Sequence, residues 1–144
     1  MYYFLSIVSN VGDDLGNPEL EWGRITIFLI LALGVSFLCS LLEAIILSVT
    51  WSHIEILSKD DKRSGKRLKE LKEDIDVPLA AILTLNTISH TIGAAGVGSE
   101  FNKLGNEWFT VASIILTILI LVFSEIIPKT LGAIYWKRLA PISA

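Results

Sequence analysis

Three long apolar stretches dominate the chain, and each is long enough to form a helix that crosses a membrane. At a rise of about 1.5 Å per residue, roughly 20 residues cover the hydrocarbon core of a bilayer. The pattern therefore predicts an all-α membrane protein with three transmembrane helices. The predicted spans are residues 25–50, 77–99 and 108–128.

The charges between the spans predict the orientation. Residues 51–76 carry seven lysines and arginines, whereas residues 100–107 have only Lys103. Cytoplasmic segments are enriched in these residues, so 51–76 is predicted to be cytoplasmic. The N-terminal segment 1–24 is then outside the cell and the C-terminus inside. We expect a multi-pass protein of the plasma (cytoplasmic) membrane.

The cytoplasmic segment has the pattern of two short helices with a break near Asp60. Two ion pairs at i, i+4 spacing support the second helix: Lys66–Glu70 and Lys69–Glu73. A basic segment beside anionic lipid headgroups needs no nucleic-acid partner to explain it.

After Pro128 the chain places aromatic residues beside basic ones, as interfacial helices do. Tyr135, Trp136 and Lys137 are examples. We therefore predict a juxtamembrane helix over residues 129–144.

Composition limits the chemistry. Hydrophobic residues make up 52% of the chain, and Cys39 and Met1 are its single cysteine and methionine. An internal disulfide framework is therefore excluded, and the soft ligands that copper and iron–sulfur clusters need are nearly absent.

The third span contains a carboxylate, Glu125, close to its predicted end at Pro128. A charge at the centre of a membrane helix costs roughly 2.5–3.5 kcal/mol on insertion scales, which indicates a functional role. Pro128 has no N–H to donate to the carbonyl four residues earlier, that of Ser124. A bound cation is one partner that this carbonyl could find in lipid.

Polar residues of the other spans lie at a similar depth. With α-helical rise, Glu43 is about 10 Å and Asn86 about 12 Å above the cytoplasmic boundary, and Glu125 is about 26 Å below the outer one. Ser40 lies one turn above Glu43, and Ser89 and His90 share a face with Asn86. We therefore predict one polar layer drawn from three spans.

The layer is an all-oxygen set, which suits Mg²⁺, Ca²⁺, Na⁺ or protons carried by the carboxylates. Each residue also has a simpler interpretation. Asn86 can serve as a hydrogen bond between helices. Glu43 can contact the ion or pair with Lys129. Ser89 and His90 suggest a hydrolase only weakly, because no paired acid accompanies them.

The second span is rich in small residues. Gly93, Gly96 and Gly98 are predicted to allow close helix approach, with Ala94 and Gly98 as a small-xxx-small pair.

Three motifs are distinctive: Ser40-Leu41-Leu42-Glu43-Ala44 with Ser48, Leu85-Asn86-Thr87, and Ser124-Glu125-Ile126-Ile127-Pro128-Lys129-Thr130. Together they resemble the transmembrane domain of the cyclin M (CNNM)/CorC family of magnesium transporters. The resemblance runs from about Ile25 to Pro141, and the third motif is the most specific. In two places this chain differs from many bacterial members, with Leu42 where they have serine and Ser124 where they have glycine.

The resemblance implies a homodimer of three-span subunits that exports Mg²⁺, with Na⁺ entry as the coupled reaction. By motif match, Ser40, Asn86 and Glu125 are the expected ion contacts. Glu43, Ser48, Pro128 and Lys129 would shape the site. Family members usually continue into paired CBS domains that bind ATP, whereas this chain stops at Ala144, so we expect either a piece of a longer protein or an isolated membrane domain.

We therefore expect a transporter and not an enzyme, working by alternating access. A non-transporting Mg²⁺ sensor or assembly module of the membrane is the alternative. The expected metal ligands are Ser40, Asn86, Ser124 and Glu125. The expected supporting residues are Glu43, Ser48, Ser89, His90, Gly93, Pro128 and Lys129.

Overall fold

The computed structural model describes residues 22–60, 62–103 and 105–143, which form a succession of helices. The predicted N-terminal segment 1–24 lies outside the described residues except for its last three. Within the described ranges there are seven α-helices and two π-helical segments. They are α1 (Trp22–Ile30), the first π segment (Leu31–Val35), α2 (Ser36–Ser48), α3 (Trp51–Asp60), α4 (Lys62–Glu73), α5 (Asp76–Asn102), α6 (Asn106–Leu119), the second π segment (Ile120–Ile126) and α7 (Ile127–Ser143).

Three helices are long and apolar enough to cross a membrane, which confirms the predicted all-α class. They cover Trp22–Ser48, Asp76–Asn102 and Glu107–Ile142. The first and third each run through a π segment without a break, so the π turns are part of the spans.

The third long helix extends well beyond the predicted end of its span. Pro128 is the second residue of α7, and its side chain is fully buried. The turn before Pro128 is π-helical, and this wider turn accommodates a residue that has no N–H to donate. The helix predicted after Pro128 is therefore present as α7 and is continuous with the span.

The two short helices between the first and second spans are confirmed. α3 ends at Asp60 and α4 begins at Lys62. Both predicted ion pairs are present, with N···O distances of 4.0 Å and 3.7 Å. Buried Leu68 of α4 joins an apolar cluster with Ile45 of α2 and Ala140 of α7. The short helices therefore pack against the ends of two spans.

Glycines set the distance between the first and second spans. A Cβ on Gly93 would lie 2.4 Å from the Ala32 Cβ and 2.9 Å from the Phe28 carbonyl oxygen, and a Cβ on Gly96 would overlap the Phe28 ring. The predicted close approach is confirmed for these two glycines. Their neighbour is the same chain's first span, so this surface is covered within the subunit.

α7 packs closely on α2 through Gly132. A Cβ there would lie 2.6 Å from the Ala44 Cβ and 3.0 Å from the Leu41 carbonyl oxygen. The helix that follows Pro128 is thereby held against the part of the first span that carries Ser40 and Glu43.

Candidate functional site

A hydroxyl of the first span connects two polar residues of the second. The Ser36 hydroxyl donates a hydrogen bond to Oδ1 of Asn86 and also contacts Nε2 of His90. A serine hydroxyl has one proton, so its oxygen accepts from the His90 ring. The amide oxygen of Asn86 has a second lone pair that remains for another partner. Ser36 thus orients Asn86 within the layer.

Sequence reasoning missed Ser36. The signal was present, because Ser36 and Ser40 are four residues apart and share one face of α2. Asn86 and His90 do share a face, as their spacing predicts, and Ser36 is their common partner from the first span.

Ser40 is fully buried, and its hydroxyl has no hydrogen-bond partner within the described residues. Leaving a buried hydroxyl unsatisfied costs about 1–3 kcal/mol. Its helix, α2, contacts both α5 and the second π segment. An oxygen in this position is suited to a ligand that approaches from between the spans.

The two π segments contact each other, and a side chain joins them. Ser124, fully buried in the second π segment, donates a hydrogen bond of 3.2 Å to the carbonyl of Leu33 in the first. The same carbonyl accepts the backbone N–H of Ser36. The Ser124 hydroxyl is therefore engaged, and only its carbonyl is left as a candidate ligand atom.

The backbone register before Pro128 differs from the α-helical register assumed from the sequence. The N–H of Ile127 bonds to the carbonyl of Val122, five residues earlier. In that register Pro128 faces the carbonyl of Phe123, and it faces that of Ser124 only in an α-helical register. In the observed register, the carbonyl that Pro128 leaves without an N–H donor is therefore that of Phe123, not that of Ser124 as the α-helical count predicted.

Glu125 lies in the second π segment and is half-buried. Within the described residues its carboxylate makes no hydrogen bond and no ion pair. It contrasts with Glu43, whose Oε2 is 3.1 Å from the Lys129 Nζ. Of the two carboxylates in the predicted layer, Glu125 is the one without a protein partner.

Ser89 and Gly93 have structural contacts of their own. Ser89 donates to the carbonyl of Leu85 at 2.9 Å, and Ser48 is the last residue of α2. Ser89 therefore does not bond to His90, so these two residues do not form the nucleophile and base pair that a hydrolase would need. Gly93 acts through packing against Ala32.

The donor set contains hydroxyl, amide, carboxylate and backbone oxygens. Among the described residues no three His, Cys, Asp or Glu side chains form a metal-binding group. Zinc prefers nitrogen and sulfur ligands, whereas Mg²⁺ accepts few protein oxygens and retains water. This set of donor atoms is of the kind that binds hard, partly hydrated cations.

A three-span helical membrane protein with an intramembrane polar cluster is thus defined. The chain belongs to the cyclin M family: residues 26–144 match the cyclin M transmembrane N-terminal domain. No solved structure matches the chain significantly.

Relatives of the chain include proteins of three bacteria. The chain is 39% identical to the UPF0053 protein sll1254 of Synechocystis over 119 residues, which are 82% of this chain and 34% of that protein. It is 30% identical to a UPF0053 protein of Haemophilus influenzae over 82% of this chain and 28% of that protein. The UPF0053 inner membrane protein YfjD of Escherichia coli is 29% identical over 58% of this chain and 20% of its own length. The chain thus spans about a third or less of the length of these relatives.

Proposed function

We propose that this chain is the transport domain of a secondary-active exporter of divalent cations, with Mg²⁺ as substrate and Na⁺ entry as the driving reaction. The observation that carries the proposal is the fully buried, unpartnered hydroxyl of Ser40. Its helix packs against both the helix of Asn86 and the π segment of Glu125. A cation bound between these three elements would be a common partner for the Ser40 hydroxyl, the Asn86 amide oxygen and the Glu125 carboxylate.

The composition of the ligand set favours a substrate that is bound and then released. Ser40 and Asn86 are neutral ligands, as is the Ser124 carbonyl, and Glu125 supplies one negative charge. Ligand charge count is one factor that tunes the affinity of divalent cation sites. A single carboxylate leaves the bound Mg²⁺ with net positive charge, which favours moderate affinity and turnover.

The paired π segments support alternating access. π turns are rare, and they occur frequently at functional sites. Here two of them contact each other beside Ser36 and Glu125. In the proposed cycle these wide turns rearrange as the site opens first to the cytoplasm and then to the outside.

The proposed assembly is a homodimer in the bilayer. Gly93 and Gly96 are covered by the first span of their own chain. The contact between subunits must therefore use other faces of the helices. Regulation by ATP would come through CBS domains of a longer protein and is part of the proposal.

Efflux from proteoliposomes tests the function. Vesicles loaded with Mg²⁺ should lose it faster when they contain the chain, and an inward Na⁺ gradient should accelerate the loss. Glu125→Gln should abolish the protein-dependent flux, because it removes the one carboxylate of the predicted layer that has no ion pair within the described residues. Glu107→Gln is the matched control, since Glu107 is an exposed residue of the first turn of α6.

Wild-type flux in a Glu125→Gln protein would contradict the assignment. Saturable Mg²⁺ binding by the wild type without any flux would instead support the sensor or assembly module. Mg²⁺ flux that is independent of the Na⁺ gradient would contradict Na⁺ coupling, but it would not contradict the proposed cation site.

A further inference from the structure

An apolar groove lies between the start of the first span, the end of the second and the start of the third. Its volume is about 250 Å³, and its lining is almost entirely apolar. It is distinct from the polar layer, with which it shares no residue. The lining residues are Ile25, Leu29, Val97, Phe101, Trp108, Val111, Ala112, Ile115, Leu116 and Leu119.

The groove opens toward the surroundings of the helix bundle. Its floor includes the buried side chains of Val97, Ala112 and Leu116, whereas Trp108 and Ile115 on its wall are exposed. In a membrane these exposed apolar side chains face lipid. The natural occupant of such a groove is therefore a hydrocarbon chain.

The depth of the groove matches one leaflet. Its lining along α6 runs from Trp108 to Leu119, which is eleven residues and about 16 Å of helix. The hydrocarbon core of a bilayer is about 30 Å thick. The groove thus extends from the membrane edge to about the middle, the depth that one acyl chain occupies.

A cluster of charged side chains lies at the end of the groove that is nearest the membrane edge. Arg24 is next to the lining residue Ile25, and Glu100 is next to Phe101. The Glu100 carboxylate is buried, with Oε1 at 3.3 Å from the Arg24 Nε and Oε2 at 3.0 Å from the Lys103 Nζ. These three side chains carry two positive charges and one negative.

Lys103 has unused hydrogen-bonding capacity. Its side chain is 8% exposed, and Glu100 is its one ionic partner within the described residues. Its Nζ is buried and makes no hydrogen bond of good geometry there. An ammonium has three donors, so a buried ammonium in this state favours a further acceptor, preferably an anionic one.

We propose that the groove binds one anionic phospholipid of the leaflet at the Trp108 end of the bundle. An acyl chain fills the groove, and the Lys103 ammonium turns toward the headgroup phosphate and donates a hydrogen bond to it. The proposal does not depend on the transport function. It rests on the juxtaposition of a leaflet-deep apolar groove with a buried ammonium at its rim.

Native mass spectrometry of the detergent-solubilised chain tests the site, with phosphatidylglycerol and phosphatidylcholine as probes. We expect one phosphatidylglycerol per chain, bound about tenfold more tightly than phosphatidylcholine, as one charge-assisted contact implies. Lys103→Gln should remove this preference. Lys69→Gln, an exposed lysine of α4, is the control that should leave it unchanged.

A second variant tests the groove itself. Ala112→Phe places a ring on the floor and should reduce binding of both lipids, whereas Ile114→Phe, on an exposed position of the same helix, should not. Size-exclusion chromatography checks that each variant is folded. Equal binding of both lipids by the wild type, or no effect of Lys103→Gln, would overturn the proposal. A change of oligomeric state in Ala112→Phe with unchanged lipid binding would overturn it in favour of an interface between copies.

Discussion

The Lys129 Nζ lies 3.1 Å from Oε2 of Glu43, which joins the residue after Pro128 to the first span. Glu43 is 15% exposed, so its charge benefits from this partner, while Lys129 is 45% exposed. The pair leaves Glu125 as the carboxylate available to a cation. It also connects the two spans whose relative position defines the layer.

Breaking this pair should destabilise the fold modestly. We expect a coupling energy of about 1 kcal/mol between Glu43→Gln and Lys129→Gln in a double-mutant cycle, because one partner is largely exposed. Thermal unfolding in detergent measures it. Strictly additive single and double variants would show that the two side chains do not interact.

Ser40→Ala should have opposite effects on stability and on binding. Removing an unpartnered buried hydroxyl should leave the metal-free protein equally or more stable, by up to about 1–3 kcal/mol. Mg²⁺ binding should weaken, because the cation loses a ligand. Unfolding without Mg²⁺ and titration with Mg²⁺ separate the two effects.

Ser89→Ala is the matched control for that experiment, because its hydroxyl is satisfied by the Leu85 carbonyl. It should not weaken Mg²⁺ binding. If Ser40→Ala binds Mg²⁺ as well as wild type, Ser40 is not a ligand.

Ser36→Ala should weaken Mg²⁺ binding about tenfold by releasing Asn86 from its hydrogen bond, an effect of about 1.4 kcal/mol. Ser36→Thr retains a hydroxyl and should recover part of the affinity. Isothermal titration calorimetry measures both. The control is Ser113→Ala, whose hydroxyl bonds to the Phe109 carbonyl of its own helix. An unaffected Ser36→Ala protein would show that Asn86 needs no orientation by the first span.

Gly93→Ala should lower stability by about 1–3 kcal/mol, because the new Cβ would meet Ala32 and the Phe28 carbonyl, and backbone must move. Gly34→Ala is the control in the facing helix, where a Cβ would meet only Ile30 at 3.9 Å. It should be neutral or stabilising by about 0.4–1 kcal/mol. Melting temperatures decide the comparison, and equal losses in both variants would contradict the packing argument.

Much of the fold could be predicted from apolar length and charge. The three spans and the two short helices follow from patterns that the chain repeats over many residues. Their ends were less predictable, as the third helix shows by continuing past Pro128. The proline is accommodated because the preceding turn is π-helical, and no sequence pattern used here signals a π turn.

The sequence predicts candidate site residues, but it does not predict which side chains contact one another. Counting along an α-helix brought Asn86, Ser40 and Glu125 to a similar depth. It did not find the Ser36 hydrogen bond, because that depends on which faces of two helices meet. It also left open whether Glu43 pairs with Lys129, and the structure contains that ion pair.

The most direct test of the central claim is a crystal structure with Mg²⁺, checked with Mn²⁺, which favours similar oxygen ligands and can be located by anomalous scattering. The account predicts one ion in contact with Ser40, Asn86 and Glu125, at metal–oxygen distances near 2.1 Å for Mg²⁺. An ion bound elsewhere, or an anomalous map without a peak among these residues at saturating metal, would contradict it.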